Sequence, residues 1–347
     1  MQLHDVWFLL IAVLWIGYFV LEGFDFGLGI LLPFIGRNDA ERRQLINAIG
    51  PVWDGNEVWL LVAGGATFAA FPNWYATLFS GFYLALFLIL AALIVRGVAF
   101  EYRSKHDSPR WQRAWDAAIF LGSAVPALLW GVAFANIVAG VPIDQKGEFT
   151  GNLFTLLNPY ALLGGLVTLS LFSTHGATYL ALKTTDELRA RANSMVLGLG
   201  LVTAVLAVVF LAWTQISVMN AGVADKTTSA VSVVASVVAA VALLGGLLAN
   251  RMGREGWAFL ATAATILLAV TALFLDLYPN VMPSSTNAAW SLTVSNASST
   301  QLTLQIMTVV AVIFTPVVLI YQGWTYYVFR NRISNKRQEV TQPAAGH

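Results

Sequence analysis

Long apolar stretches alternate with short polar ones along almost the whole chain. The apolar stretches predict nine helices, at about 6–34, 53–71, 74–100, 115–140, 157–182, 195–219, 229–249, 256–279 and 302–329. Most reach the roughly 20 residues that a helix needs to cross a bilayer. Lipid offers the backbone no hydrogen-bond partners, so such spans must be helical. The pattern predicts an all-α polytopic membrane protein, with a single membrane domain over residues 1–335 and a basic and polar tail over 336–347.

Composition agrees with this class. Hydrophobic residues make up 58% of the chain and charged residues only 11%, against roughly 25% charged in soluble domains. There is no cysteine, which excludes disulfides, thiolate metal sites and iron–sulfur clusters. Nothing in the sequence indicates a nucleic-acid partner.

The basic residues predict which side of the membrane each loop faces. Of the 19 Lys and Arg residues, only Lys146 and Lys226 lie in predicted loops on the same side of the membrane as the N-terminus. Cytoplasmic loops carry the excess of positive charge. This bias predicts an N-terminus outside and a C-terminus in the cytoplasm.

Two acids interrupt the first apolar segment. Glu22 and Asp25 are three residues apart, so they share one helix face. At 1.5 Å per residue they lie about 3 Å and about 7–8 Å inward of the membrane midplane. Intramembrane acids usually face the protein interior and mark ion or proton routes. The alternative is a purely structural pair, protonated and hydrogen-bonded between helices.

Further charged residues occur at the inner ends of the next two spans. Asp54 and Glu57 have the spacing of a helix N-cap box, which is a structural role compatible with proton collection. Arg96 and Glu101 end the third span; singly, each fits a snorkelling or solvated side chain. Together the six residues form a ladder from the inner surface toward the midplane, as a proton half-channel requires.

Metal and cofactor chemistry has little support in the residues. His175 is the only histidine within a predicted span. One histidine cannot build a multi-histidine metal centre; it could ligate a haem, but a packing role is the more common one. We predict no metal site and no catalytic residue in this chain.

Several segments carry a resemblance. The stretches "LEGFDFGLG", "GRNDAERR", "WDGNEVWL", "TGNLFTLLNPY", "HGATYLALKT" and "YPNVMPSST" resemble subunit II of the cytochrome bd quinol oxidases, and the similarity runs from the first span to the last.

The resemblance implies a fold, a partner and a reaction. It implies nine helices in two four-helix bundles plus one helix, and a heterodimer with a subunit I that carries b and d haems. That complex oxidises quinol, reduces O2 to water and takes up protons from the cytoplasm of a bacterium, at its inner membrane. Subunit II would be haem-free and line a proton channel. The family's channel acids correspond to Asp54 and Glu101, and its "GFD" acid to Asp25, with Glu22 before it.

The sequence therefore leaves two alternative functions from different classes. The first is the haem-free subunit of a bd-type quinol oxidase, surrounded by lipids, with a structural quinone and small accessory subunits as further expectations. The second is a stand-alone proton-coupled transporter, which acids near the midplane would also suit.

Overall fold

Helices form most of the part of the chain that the structure describes. The computed structural model describes residues 2–221 and 226–334, with side chains over 2–217 and 230–334; the predicted tail at 336–347 lies outside the described residues. The helices are α1 (Leu3–Ile35), α2 (Asp39–Ile49), α3 (Trp53–Ala70), α4 (Pro72–Gly81), α5 (Tyr83–Tyr102), α6 (Pro109–Ala139), α7 (Leu153–Leu156), α8 (Pro159–Lys183), α9 (Asp186–Ala221), α10 (Lys226–Arg251), α11 (Glu255–Leu277) and α12 (Gln301–Val328).

Seven helices in the described residues are long and apolar enough to cross a membrane, namely α1, α5, α6, α9, α10, α11 and α12. Two further helices, α3 and α8, occupy the second and fifth predicted spans. α3 is short, at 18 residues, or about 27 Å. α8 carries hydroxyl side chains such as Thr168, Ser173 and Thr174, which bond to carbonyls one turn earlier on their own helix. The structure is thus a mostly helical, multi-span membrane protein.

The third predicted span is divided. A single helix was expected over 74–100, but α4 ends at Gly81 and α5 begins at Tyr83. Phe82 between them has φ −99° and ψ 15° and is buried. A side chain at Gly81 would meet the Phe149 side chain at 2.7 Å. The loop carrying Phe149 therefore packs on the break.

α1 lies at the centre of the packing and contacts α3, α6, α8 and α11. The crossing of α1 with α8 is very close. A Cβ at Gly27 would lie 1.9 Å from the Phe172 carbonyl oxygen, and one at Gly176 would lie 2.5 Å from the Gly27 carbonyl carbon. Only glycine permits this approach, in the way that small residues allow tight helix contacts in membranes.

α12 lies on the outside of the molecule. Its buried residue is Leu304, and large apolar side chains such as Ile320 and Leu302 are mostly exposed. At one end, Trp7 of α1 donates its indole N–H to the Leu304 carbonyl.

The segment after α12 fastens its other end. The Lys183 ammonium donates to the carbonyls of Phe329 and Asn331, and the Ile333 amide donates to the Lys183 carbonyl at 2.8 Å. Gln44 of α2 donates to the Ile333 carbonyl at 2.7 Å. We call residues 329–333 the clasp.

The connection between α11 and α12 contains the described strands. β1 (Asn280–Met282) pairs antiparallel with β2 (Leu292–Thr293). Val281 and Met282 are fully buried, so this loop covers one end of the helices.

Candidate functional site

The functional candidates meet where α1, α3 and α5 come together. α1 supplies Glu22 and Asp25, α3 supplies Asn56 and Glu57, and α5 supplies Arg96. Their i,i+3 spacing places both α1 acids on one face, as predicted. Glu22, Asp25, Asn56 and Arg96 have no exposed surface. We call these five residues the acid cluster.

Arg96 is the cationic centre of the acid cluster. Its Nη2 donates to Glu22 Oε1 and to Glu57 Oε2, the latter at 3.2 Å. The Glu22 and Arg96 side chains are fully buried, whereas the Glu57 side chain is 24% exposed. Arg96 also lies 4.7 Å above the centroid of the Phe26 ring, a cation–π contact. One guanidinium therefore links a partly exposed carboxyl to a fully buried one.

Gly122 of α6 packs closely against the backbone and Cβ of Arg96. A Cβ at Gly122 would lie 2.6 Å from the Arg96 Cβ and 2.7 Å from the Ala92 carbonyl oxygen. α5 and α6 are thus in direct backbone contact at this level. The Arg96 side chain leaves this contact toward α1, where Glu22 lies.

Asp25 has a neutral partner. Asn56 Nδ2 donates to Asp25 Oδ2 at 2.7 Å and to the Leu21 carbonyl at 3.3 Å. The Asn56 Oδ1 accepts from Gln322 Nε2 at 3.0 Å and from the Tyr326 hydroxyl at 2.8 Å, both on α12. α12 thereby reaches the acid cluster through Asn56.

Several polar atoms of the acid cluster lack a protein partner. These are Glu22 Oε2, Asp25 Oδ1, and Nε and Nη1 of Arg96, all buried. Buried donors and acceptors normally have partners, and each exception calls for an explanation. Two acceptors and two donors in one small region are groups that ordered water could join.

Asp54 and Glu101 lie apart from the acid cluster, on the surface. Both are exposed, and within the described side chains neither makes a hydrogen bond or ion pair. They are nonetheless neighbours of a contact between their helices, because the rings of Trp53 and Phe100 lie 5.1 Å apart. The first turn of α3 and the last turn of α5 therefore meet at one end of the molecule.

The predicted N-cap role of Asp54 is wrong. Val52 is the N-cap of α3 and Asp54 lies inside the helix. The Asn56 amide donates to the Val52 carbonyl at 3.0 Å, so the hydrogen bonds of α3 begin before Asp54. A carboxylate in the first turn still favours the positive end of the helix dipole.

Both ring nitrogens of His175 form hydrogen bonds within the protein. Its Nδ1 bonds to the Thr262 hydroxyl at 2.7 Å and its Nε2 to the Val20 carbonyl at 3.1 Å. The ring stacks on Phe259, with centroids 4.7 Å apart. Because both nitrogens are engaged, His175 does not fit an axial haem ligand. The described residues also contain no group of three or more His, Asp and Glu arranged for a metal ion.

Near the end of α1, an ionic contact ties α2 to α9. Arg191 of α9 pairs with Glu41 of α2 at 2.6 Å, and the Arg37 amide donates to Glu41 at 2.8 Å. Partial burial acts to raise the pKa of Glu41, but the bonds from Arg191 and Arg37 outweigh it and hold that pKa below its usual value.

The comparison with protein families identifies the family of this chain. The family described as cytochrome bd terminal oxidase subunit II matches residues 3–329, which include every residue of the acid cluster. The chain belongs to this family. The resemblance seen in the sequence is confirmed.

Individual subunit II relatives agree with the family match. The chain is 42% identical over 337 residues to cytochrome bd ubiquinol oxidase subunit 2 of Bacillus subtilis, covering 96% of this chain and 98% of that one. It is 40% identical over 363 residues to cytochrome bd-I ubiquinol oxidase subunit 2 of Escherichia coli K12, with 96% of each covered. These relatives are subunits of an oxidoreductase complex.

A solved structure shares the fold. The bd oxidase from Geobacillus thermodenitrificans has a chain that superposes with a TM-score of 0.75, covering 99% of this subunit II chain and all of the other. The identity is 14%, so this likeness concerns the fold alone.

Sequence reasoning missed three residues of the site, namely Asn56, Gln322 and Tyr326. It considered only acidic, basic and histidine side chains, although an amide or a phenol inside an apolar span also needs a polar partner. Asn56 lies within the "WDGNEVWL" segment of the subunit II pattern, and Gln322 interrupts the apolar run of α12. Both were visible signals.

Proposed function

We propose that this chain is the haem-free subunit II of a bd-type quinol:O2 oxidoreductase and that it provides a proton uptake half-channel from the cytoplasm. Membership of the subunit II family supports the first part. The observation that carries the second is the Arg96 guanidinium, which joins the partly exposed Glu57 to the fully buried Glu22.

The proposed route follows the decrease in exposure. Asp54 and Glu101 are exposed and collect protons at the surface. Glu57, three residues beyond Asp54 on α3, is 24% exposed and lies about 4.5 Å further along the helix axis. Glu22 and Asp25 are fully buried at the deep end.

The acid cluster has the capacity to hold protons because its charges do not balance. Three carboxyls share one guanidinium, and each uncompensated charge in the membrane costs at least about 2.5–3.5 kcal/mol. Its unpartnered donors and acceptors are groups through which water could complete a chain. A carboxyl can pass a proton because it donates when protonated and accepts when ionised.

We further propose a membrane arrangement and a partner subunit for the chain. The chain crosses a bacterial inner membrane nine times, with its N-terminus outside, in two four-helix bundles plus α12. It supports a subunit I that carries b and d haems. His175 does not fit a haem ligand, and the redox chemistry is therefore assigned to subunit I. The proton pathway of this chain comprises Asp54, Glu101, Glu57, Arg96, Glu22 and Asp25.

A structural quinone remains part of the proposal. An apolar cavity lies between α1, α6, α8, α9, α10 and α11, with Phe134, Phe172 and Phe210 among the residues that line it. Its apolar lining would suit an isoprenoid chain. Lipids and small accessory subunits complete the expected surroundings.

The test is the double variant Asp54→Asn with Glu101→Gln in the purified complex. Both are exposed, so the fold should survive and the haem content should match the parent. We expect slower quinol oxidation and slower proton uptake in liposomes. Glu148→Gln, an exposed acid in the loop after α6, is the matched control. Parent-like turnover and proton uptake in the double variant would refute the route.

Purification distinguishes the oxidase subunit from the stand-alone transporter. The family match favours the first. A haem-bearing partner that co-purifies, with b and d bands in the optical spectrum, is the expected result. A colourless chain that moves solute in liposomes would instead support the transporter.

A further inference from the structure

The side chain of Asn56 uses its whole hydrogen-bonding capacity. Its amide nitrogen donates to Asp25 Oδ2 and to the Leu21 carbonyl, and its oxygen accepts from Gln322 and Tyr326. An amide has two donor hydrogens and two acceptor lone pairs, so nothing is left over. Asn56 is also fully buried, which leaves it no exchange with bulk water.

The orientation of this amide is fixed by its partners. The Leu21 carbonyl can only accept a hydrogen bond, so the Asn56 nitrogen must face α1. A flipped amide would turn its oxygen toward the Leu21 carbonyl and the Asp25 carboxyl, both of which carry oxygens. Asn56 therefore donates to Asp25 and presents its oxygen to α12.

α12 contributes two donors to that oxygen. Gln322 and Tyr326 are four residues apart, so they lie on the same helix face, and both are only partly exposed. Neighbouring side chains such as Tyr321 and Trp324 are more than 60% exposed. α12 thus turns its two partly buried polar groups toward the one amide that contacts Asp25.

We propose that Asn56 is a positioning residue for Asp25 and that α12, through Gln322 and Tyr326, holds it in place. The inference rests on the proposed proton route. Two donors on the Asn56 oxygen polarise the amide and strengthen its bond to the carboxyl, as in other hydrogen-bonded chains. The Asp25 oxygen that Asn56 does not contact, Oδ1, has no other protein partner. Asn56 thereby keeps that oxygen free for the proton.

The test compares α12 variants of the whole oxidase complex. Tyr326→Phe and Gln322→Leu, singly and together, remove the donors, and Tyr321→Phe on the exposed face is the matched control. Redox-difference infrared spectroscopy follows the carboxyl band that disappears in Asp25→Asn. We expect each single variant to slow turnover about five-fold, since one lost hydrogen bond has that order of effect, and the double variant to shift this band and to slow turnover about 25-fold. The control should change neither.

The outcomes separate this inference from the proposed function. If Asp25→Asn turns over like the parent, the proton route fails at Asp25 and the inference fails with it. If Asp25→Asn slows turnover but the double variant leaves band and turnover unchanged, the route stands and the role of α12 is refuted. Haem content and gel filtration report assembly. Should the double variant not assemble, Tyr326→Phe alone, which removes a single hydroxyl, decides by the same readouts.

Discussion

Replacing Arg96 tests the energetic centre of the acid cluster. In Arg96→Gln the buried Glu22 loses its cation and Glu57 loses its link to the interior. Breaking one side of a buried ion pair costs about 3–5 kcal/mol, which is about two to four powers of ten in the unfolding equilibrium. We expect the purified complex in mild detergent to unfold at a clearly lower SDS concentration, as followed by tryptophan fluorescence.

The double variant turns this expectation into a measurement of coupling. Glu22→Gln together with Arg96→Gln removes both charges, so that no unpaired carboxylate of Glu22 is left in the interior. The double variant should therefore be more stable than Arg96→Gln alone. Arg113→Gln, an exposed arginine on α6, should behave like the parent. Additive losses in the double variant, or a parent-like Arg96→Gln, would show that the two side chains do not depend on each other.

Three further predictions concern packing, pH and haem. Gly27→Ala places a methyl group against a backbone carbonyl of α8 and should lower the melting temperature of the complex through an overpacking cost of about 1–3 kcal/mol, whereas Gly198→Ala, which has open space, should not. Because the pKa of Glu41 is lowered in the folded protein, this carboxyl contributes stability that is present above its unfolded pKa of about 4.3 and is lost as pH falls through the folded pKa. Glu41→Gln should therefore reduce the fall in melting temperature below about pH 5. An unchanged pH profile of the melting temperature would contradict the Arg191 contact. His175→Gln should leave the haem spectrum of the assembled complex intact while lowering its thermal stability; selective loss of a haem band would contradict the packing role.

Hydropathy predicted the seven long apolar helices of the described residues because lipid imposes one rule on every span. The α1 acids were found for the same reason, since a carboxyl in an apolar run is conspicuous. The pairing of Arg96 with Glu22 was not predictable, because the two are 74 residues apart and depend on how α1, α5 and α6 cross. Taken alone, Arg96 fitted a snorkelling residue equally well.

The errors have local causes. The spacing of Asp54 and Glu57 matches a cap box, but Val52 is the N-cap of α3 and Asp54 lies inside the helix. At the interruption at Phe82, the chain packs against Phe149 of a distant loop, a contact that the hydropathy of the third span does not reveal. Asn56 was overlooked because it is neutral, although its four hydrogen bonds connect α12 to the acids.

The position of α12 after the helices of the acid cluster has a consequence for biosynthesis. α12 leaves the ribosome later than α1, α3 and α5, yet its Gln322 and Tyr326 complete the surroundings of Asn56, and the clasp that fastens it follows later still. Until then, an amide next to Asp25 lacks two of its partners. A nascent chain that ends before Gln301 therefore contains every acid of the cluster but lacks the two α12 donors to Asn56, and only a chain that extends through α12 completes these contacts.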